Sequence, residues 1–239
     1  MRTLDQAGVK IVVASGRAPA ACASAFRAAG LHGWACSCNA ASVTDIATGE
    51  ILHRAPVPHE VTRAVLDICE TEDMNCTIFT DDEILVGRQD FLAEFVEASN
   101  DGVNCRVADL RAVDPDSVLK LMPGAEPAKM ADVFPRIRQI CPGATLSLDF
   151  CCEVIGEGCD KADGIRLLLD RLGIAPEKVA GFGDGGNDVN WMKLIGWPIA
   201  MQNARDEVKQ VARLEIGHHL EDAVADFIAE WDQARRARQ

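Results

Sequence analysis

The chain is short of positive charge. Against 24 lysines and arginines stand 37 aspartates and glutamates, a net charge of −13. A nucleic-acid binder needs a basic face to neutralise phosphates, so that class is excluded as a partner. If the ligand is a smaller anion, positive charge has to be supplied locally by a lysine, a metal or a helix N-terminus. Long apolar runs are also missing, and none approaches the length of a membrane span. The first ten residues lack the charged-then-apolar layout of a secretory leader. There is no internal repeat and no low-complexity segment.

Zinc-ligand spacing is absent too, although cysteine is not scarce. Ten cysteines occur in 239 residues. The close pairs Cys36/Cys38 and Cys151/Cys152 do not have the two-residue gap of zinc ligands, and no histidine pair follows at a suitable distance. A chain this long and this apolar has no need of a disulfide framework. The expectation is free, buried thiols in a reducing, cytoplasmic compartment.

What is present reads, at both ends, as alternating strand and helix. Residues 9–14 (VKIVVA) form a short continuous apolar run, the mark of a strand buried on both faces of a parallel sheet. Pro19 stands where a helix would start, and Gly30 closes the helical composition of residues 20–29. Residues 161–172 predict a helix ended by Gly173, residues 179–182 and 198–201 two more strands, and residues 220–238 an amphipathic helix. The middle has a different rhythm. Helices are expected at 59–72, 89–97 and 126–140, a hairpin at 75–80 and 83–87, strands near 104–108 and 117–122, and two strands within 144–155. That order implies an antiparallel sheet with helices on one face. The fold class is therefore α/β, a Rossmann-like parallel-sheet core of residues 1–55 and 156–239, with an inserted α+β domain at 56–155.

The strongest chemical signal is Gly183-Asp184-Gly185-Gly186-Asn187-Asp188, directly after the strand VAGF. The loop then lies at the carboxyl end of a parallel strand, where open α/β sheets bind ligands. Two carboxylates four residues apart in a Gly-rich loop repel unless a cation joins them, and hard oxygen ligands suit Mg²⁺. A helix N-cap accounts for Asn187 or Asp188, but not for Asp184 with both glycines. Residues 181–186 also satisfy G-x-G-x-x-G, a dinucleotide fingerprint. Asp184 would then put a carboxylate inside a pyrophosphate cradle, which makes this the weaker reading. Lys161 begins a helix, where a cation opposes the dipole unless an anion pairs with it. Two carboxylates and a phosphate would supply one, although an exposed surface lysine is the usual fate of such a residue. Ser15-Gly16-Arg17 follows the first strand and could hold a phosphate oxygen through the hydroxyl and backbone N–H groups. Ser15 equally fits an ordinary N-cap. Asn39, at the end of another apolar segment, is a weaker candidate.

Together these pieces resemble the haloacid dehalogenase superfamily, in its Cof-type sugar-phosphatase-like branch. Residues 14–17 (ASGR) are similar to the second family motif and 38–42 (CNAAS) to the segment that follows it. Lys161 is similar to the third motif and 183–188 (GDGGND) to the fourth. Ala40 replaces the customary glycine and Ser15 the commoner threonine. The resemblance implies a small phosphorylated metabolite as substrate, with Asp184 and Asp188 on Mg²⁺. Phosphate would be held by Ser15, Gly16, Arg17, Asn39, Lys161 and Asn187, with Ser15 and Lys161 also serving catalysis through a phospho-aspartyl intermediate. The family's first motif, a central strand ending in Asp-x-Asp that carries nucleophile and general acid, has no counterpart ahead of Ser15. Five or so buried apolar side chains of such a strand amount to roughly 8–15 kcal/mol, comparable to the stability of a whole domain. The expected explanation is a start placed downstream of the true one. These residues alone are expected to show little or no phosphatase activity, and a non-catalytic phosphate- and Mg²⁺-binding protein is the alternative.

Overall fold

The computed structural model describes residues 1–237. In chain order the elements are α1 (Arg2–Gln6), β1 (Val12–Ala14), α2 (Pro19–Ala29), β2 (Trp34–Ser37), β3 (Ser42–Asp45), β4 (Ile51–Arg54), α3 (His59–Thr71), β5 (Asn75–Phe79) and β6 (Ile84–Val86). They continue with α4 (Phe91–Ser99), β7 (Cys105–Val107), β8 (Lys120–Gly124), α5 (Pro127–Ile140), β9 (Thr145–Leu148) and β10 (Cys151–Ile155). The chain closes with α6 (Lys161–Leu172), β11 (Ala180–Gly183), α7 (Val189–Met192), β12 (Trp197–Met201), α8 (Asp206–Val211), β13 (Leu214–Ile216) and α9 (Ala223–Arg236). Arg238, where the last predicted helix was expected to end, lies outside the described residues.

The chain divides into two compact units, one of residues 1–11, 29–33 and 160–239, the other of residues 12–28 and 34–159. In the first, β11, β12 and β13 form a parallel sheet in that order, each strand reached from the last through a helix. Parallel pairing needs such a crossover, and α7 and α8 supply it. In the second unit β1 pairs parallel to β2, and β3 and β4 continue the sheet antiparallel. The fold is thus mixed α/β with a parallel, Rossmann-like element. Strands β1 and β11 each stand at the end of their sheet's order. The first is shorter than its apolar run, because the Val9 N–H is spent on the Leu4 carbonyl closing α1, at 3.0 Å.

A six-stranded sheet, ordered β7-β6-β5-β8-β10-β9, occupies the middle of the chain. Its expected antiparallel pairing fails at one point. β6 and β7 run parallel, because α4 lies between them and carries the chain back to the same end. The expectation of helices on one face is corrected too. Alternation along β5 sends Cys76 and Ile78 to a core with α3 and α5, where Val65, Met130, Val133 and Ile137 are buried. Phe79 turns the other way and packs with Leu92 and Val96 of α4 and with Ile84 and Met122. Both faces are covered, so all five residues of β5 are buried. Each such side chain contributes about 1.5–3 kcal/mol.

Eight of the ten cysteines are buried, and none of the ten is in a disulfide. Among the described residues no helix is long and apolar enough to cross a membrane.

Candidate active site

The first cluster is built at the carboxyl ends of three parallel strands. β11 ends at Gly183, and the chain turns through Asp184 to Asp188 before α7. Both oxygens of Asp188 are engaged. Oδ2 accepts from the backbone N–H of Asp184 and of Gly185, each at 3.0 Å. Oδ1 accepts from Lys161 Nζ at 2.8 Å and from Trp191 Nε1 at 2.9 Å. The carboxylate therefore ties the loop onto itself and onto the lysine. Close packing here explains the glycines: a Cβ on Gly181 would meet the Trp191 ring at 2.4 Å, and one on Gly183 would meet Asp188 Cβ at 2.8 Å. The first two glycines of the G-x-G pattern are accounted for by the loop's own packing.

Lys161 opens α6, whose N-cap Asp160 accepts from the Ala162 N–H at 2.7 Å and from Asn190 Nδ2 at 2.6 Å. The ammonium opposes the helix dipole, and Asp188 compensates it. Both side chains of the pair are 8% exposed. Burial pushes the Asp188 carboxyl up, but the charge and hydrogen bond of Lys161, with Trp191 and the Gly185 N–H, outweigh it and hold the group below its ordinary value.

Asp184 differs in kind. It is exposed, and its Oδ2 accepts from Asn203 Nδ2 at 2.8 Å. Asn203 Oδ1 in turn accepts from the His219 N–H at 3.1 Å. The segments after β12 and β13 thus converge on this carboxylate. Asn203 was not singled out from the sequence, although its place just beyond a strand's carboxyl end is the same signal that marked Asp184. Asn187 is exposed in the same loop. Among the described residues no group of three or more acidic, histidine or cysteine side chains is arranged to hold a metal. The donor set on offer is one open carboxylate beside one fully engaged. That fits Mg²⁺, which takes one or two carboxylates and completes its shell with water and substrate phosphate.

The second cluster belongs to the other unit. Segments 15–17 and 38–40 are laced together: the Asn39 N–H donates to the Ser15 carbonyl and the Cys38 N–H to the Arg17 carbonyl, both at 2.9 Å. Ser15 Oγ accepts from the Arg17 N–H at 3.2 Å. The Asn39 side chain lies against Gly16, where a Cβ would stand 3.4 Å from its Oδ1. Cys38, Asn39 and Ala40 all have positive φ (48°, 57° and 73°) and all are buried. Three consecutive left-handed non-glycine residues are costly, at about 1–2 kcal/mol each, and such strain persists where the surroundings over-determine it. The Arg17 guanidinium pairs with Asp101. Asp5 on α1 and Asp81, just beyond β5, are also engaged. Asp5 pairs with His32 at 2.9 Å, and Asp81 with Ser42 Oγ and Arg54, both at 2.8 Å.

A parallel-stranded α/β fold with a carboxylate-and-lysine loop at its strand ends defines a class of phosphoryl-handling hydrolases. The chain belongs to the haloacid dehalogenase-like hydrolase family, whose sequence profile matches residues 1–228. A protein named HMP-PP phosphatase from Enterobacter sp. (strain 638) is 26% identical over 189 residues, spanning 77% of this chain and 69% of that protein. Over a shorter stretch, 79 residues or 33% of this chain, it is 37% identical to 29% of a Bacillus subtilis protein named 5-amino-6-(5-phospho-D-ribitylamino)uracil phosphatase. The fold is that of a haloacid dehalogenase-like hydrolase from Bacteroides thetaiotaomicron, with a TM-score of 0.87 at 24% identity over 95% of this chain and 88% of that one. It is also that of a subclass IIB sugar phosphatase, with a TM-score of 0.76 at 22% identity over 97% and 88% of the two chains.

Proposed function

We propose that this protein is a Mg²⁺-dependent phosphomonoester hydrolase of the haloacid dehalogenase type. In this reading it acts in the cytoplasm on small, sugar-type phosphates through a phospho-aspartyl intermediate, and residues 56–155 are a cap inserted between core segments 1–55 and 156–239. The observation that carries the reading is the Lys161–Asp188 contact of 2.8 Å at the end of β11, next to the exposed carboxylate of Asp184. A buried ammonium beside an open acidic loop is suited to an anion that arrives with a cation. Two relatives bearing the word phosphatase in their names support it.

Asp184 is the residue to hold Mg²⁺ directly, oriented by Asn203. Asp188 serves better as anchor of the loop and partner of Lys161, since its oxygens already accept four hydrogen bonds. When bound, the cation neutralises phosphoryl charge. Lys161 adds a second positive charge for phosphate, and Asn187 lies in the same loop; in the other unit, Ser15 with the Gly16 and Asn39 backbone is likewise proposed to bind phosphate oxygens. Residues 1–14 hold one aspartate, Asp5, and it is paired with His32. The attacking aspartate of this reading is not assigned to Asp5.

The test is hydrolysis of p-nitrophenyl phosphate and a set of sugar phosphates with Mg²⁺. The 239-residue chain is compared with one extended at its front by an Asp-x-Asp strand. Turnover confined to the extended chain and abolished by EDTA supports the reading. Equal turnover by both would place the nucleophile elsewhere. No turnover by either, with phosphate binding retained, would make the protein a binder and not an enzyme.

A further inference from the structure

The segment carrying Ser15 is gripped from below by a charge that the proposed chemistry does not use. Lys120 on β8 is 2% exposed, the most deeply buried cation among the described residues. Its Nζ donates to the Gly16 carbonyl at 2.7 Å and to Glu153 Oε1 at 3.0 Å, and it lies 4.0 Å from the centroid of the Phe79 ring. Glu153 Oε2 accepts from Asn39 Nδ2 at 3.2 Å. One ion pair, its lysine buried and its glutamate partly so, thus holds both halves of the laced turn, segment 15–17 through a carbonyl and segment 38–40 through a side chain.

Burying such a pair is not a route to stability, because apolar residues of similar volume do as well or better. Its connections suggest another use. The carbonyl that Lys120 binds belongs to the Gly16–Arg17 peptide, and that peptide's N–H, on Arg17, donates to Ser15 Oγ at 3.2 Å. An ammonium on a peptide oxygen polarises the unit and strengthens its N–H as a donor, since hydrogen bonds in a chain reinforce one another. With an Oγ lone pair occupied by that N–H, the Ser15 hydroxyl keeps its own hydrogen to donate. We propose that Lys120 and Glu153 are positioning residues. Lys120 acts through the Gly16–Arg17 peptide to orient and strengthen the Ser15 hydroxyl as a donor to a phosphate oxygen, while Glu153 balances its charge. No proton moves along this line. It is a fixed string of donors, ending at the substrate.

This rests on Ser15 being a phosphate ligand, so the experiment separates the two ideas. Inorganic phosphate is titrated in the presence of Mg²⁺ by calorimetry into the wild-type chain, Ser15→Ala, Lys120→Met/Glu153→Leu, and the triple combination. The paired substitution keeps the buried volume apolar, and a thermal melt confirms that it folds. Ser15→Ala and the paired variant are each expected to weaken phosphate about 3–10-fold, and the triple variant no more than Ser15→Ala alone. Wild-type affinity in a folded paired variant overturns the proposal. So does an additive loss in the triple variant, which would mean that the pair acts on binding without Ser15. Undiminished phosphate binding by Ser15→Ala, or none by the wild type, overturns the ligand assignment beneath it.

Discussion

Lys161 Nζ and Asp188 Oδ1 stand 2.8 Å apart with both side chains 8% exposed, although 27 residues separate them in the chain. Removing one partner leaves the other charged and without its counter-ion in a dry place. Asp188→Ala is expected to cost about 3–5 kcal/mol in urea unfolding, and Lys161→Met a similar amount. The joint change to Met and Leu should cost much less than the sum. Additive losses would show that the two side chains do not interact.

Acid stability should carry the signature of the same carboxyl. The folded-state pKa of Asp188 lies below its ordinary value, so the folded form binds its proton more weakly than the unfolded chain. Its contribution is complete above about pH 4, the unfolded value, and is lost as the pH falls through the lower folded value. Unfolding curves in EDTA between pH 6 and pH 2.5 should steepen below pH 4. Asp188→Asn should lower stability at neutral pH, where Lys161 loses its counter-ion, and flatten the part of the profile below pH 4.

Ala40, with φ of 73°, occupies backbone space that suits glycine. Ala40→Gly removes the Cβ clash but adds chain entropy to the unfolded state. The net expectation is a stabilisation of about 0.5–1 kcal/mol, readable as a rise in the urea midpoint. A drop would mean that the turn is held in this shape at no cost.

Asn203 is expected to matter through Asp184. Partners that orient a metal ligand typically contribute 10–100-fold in affinity, so Asn203→Ala should weaken Mg²⁺ by about 10-fold in calorimetry. Asp184→Asn should weaken it at least as much. Unchanged Mg²⁺ binding in both variants would remove this loop from the metal site.

Thiol chemistry offers a check that involves no ligand. Burial pushes the Cys38 thiol up to about 12, and those of Cys105 and Cys151 up to about 11. At pH 8 the reactive thiolate is scarce at all three. Iodoacetamide followed by peptide mass mapping should leave them unmodified in the native protein and alkylate all ten cysteines in urea. Fast labelling of Cys105, which is only partly buried, would contradict its placement.

Periodicity and punctuation were enough for most of the elements. Helix α6 runs over the residues its apolar spacing marks, from Lys161 to Leu172, and Gly173 ends it in the left-handed region at φ 63°. The hairpin β5–β6 and the strand β12 fall within a residue or two of where short apolar runs put them. Strands β2, β3, β4 and β13 were not foreseen. Their residues alternate weakly, and what makes them strands is a neighbour's backbone. The helix that makes the crossover was expected at 89–97, but the parallel pairing of β7 beside β6 was not.

The site divides in the same way. Residue types and spacing alone determined that Asp184, Asp188 and Lys161 are chemically related, because two acids in a glycine loop and a cation at a helix start are each unfavourable without a partner. Only tertiary structure shows how their surroundings differ, with Asp188 accepting four hydrogen bonds and Asp184 exposed and held by Asn203. It alone revealed Lys120 and Glu153, which lie 33 positions apart and reach the Ser15 segment from over a hundred residues away. Burial, hydrogen-bond direction and strain are properties of where distant segments meet, and a linear pattern records only what each segment brings to that meeting.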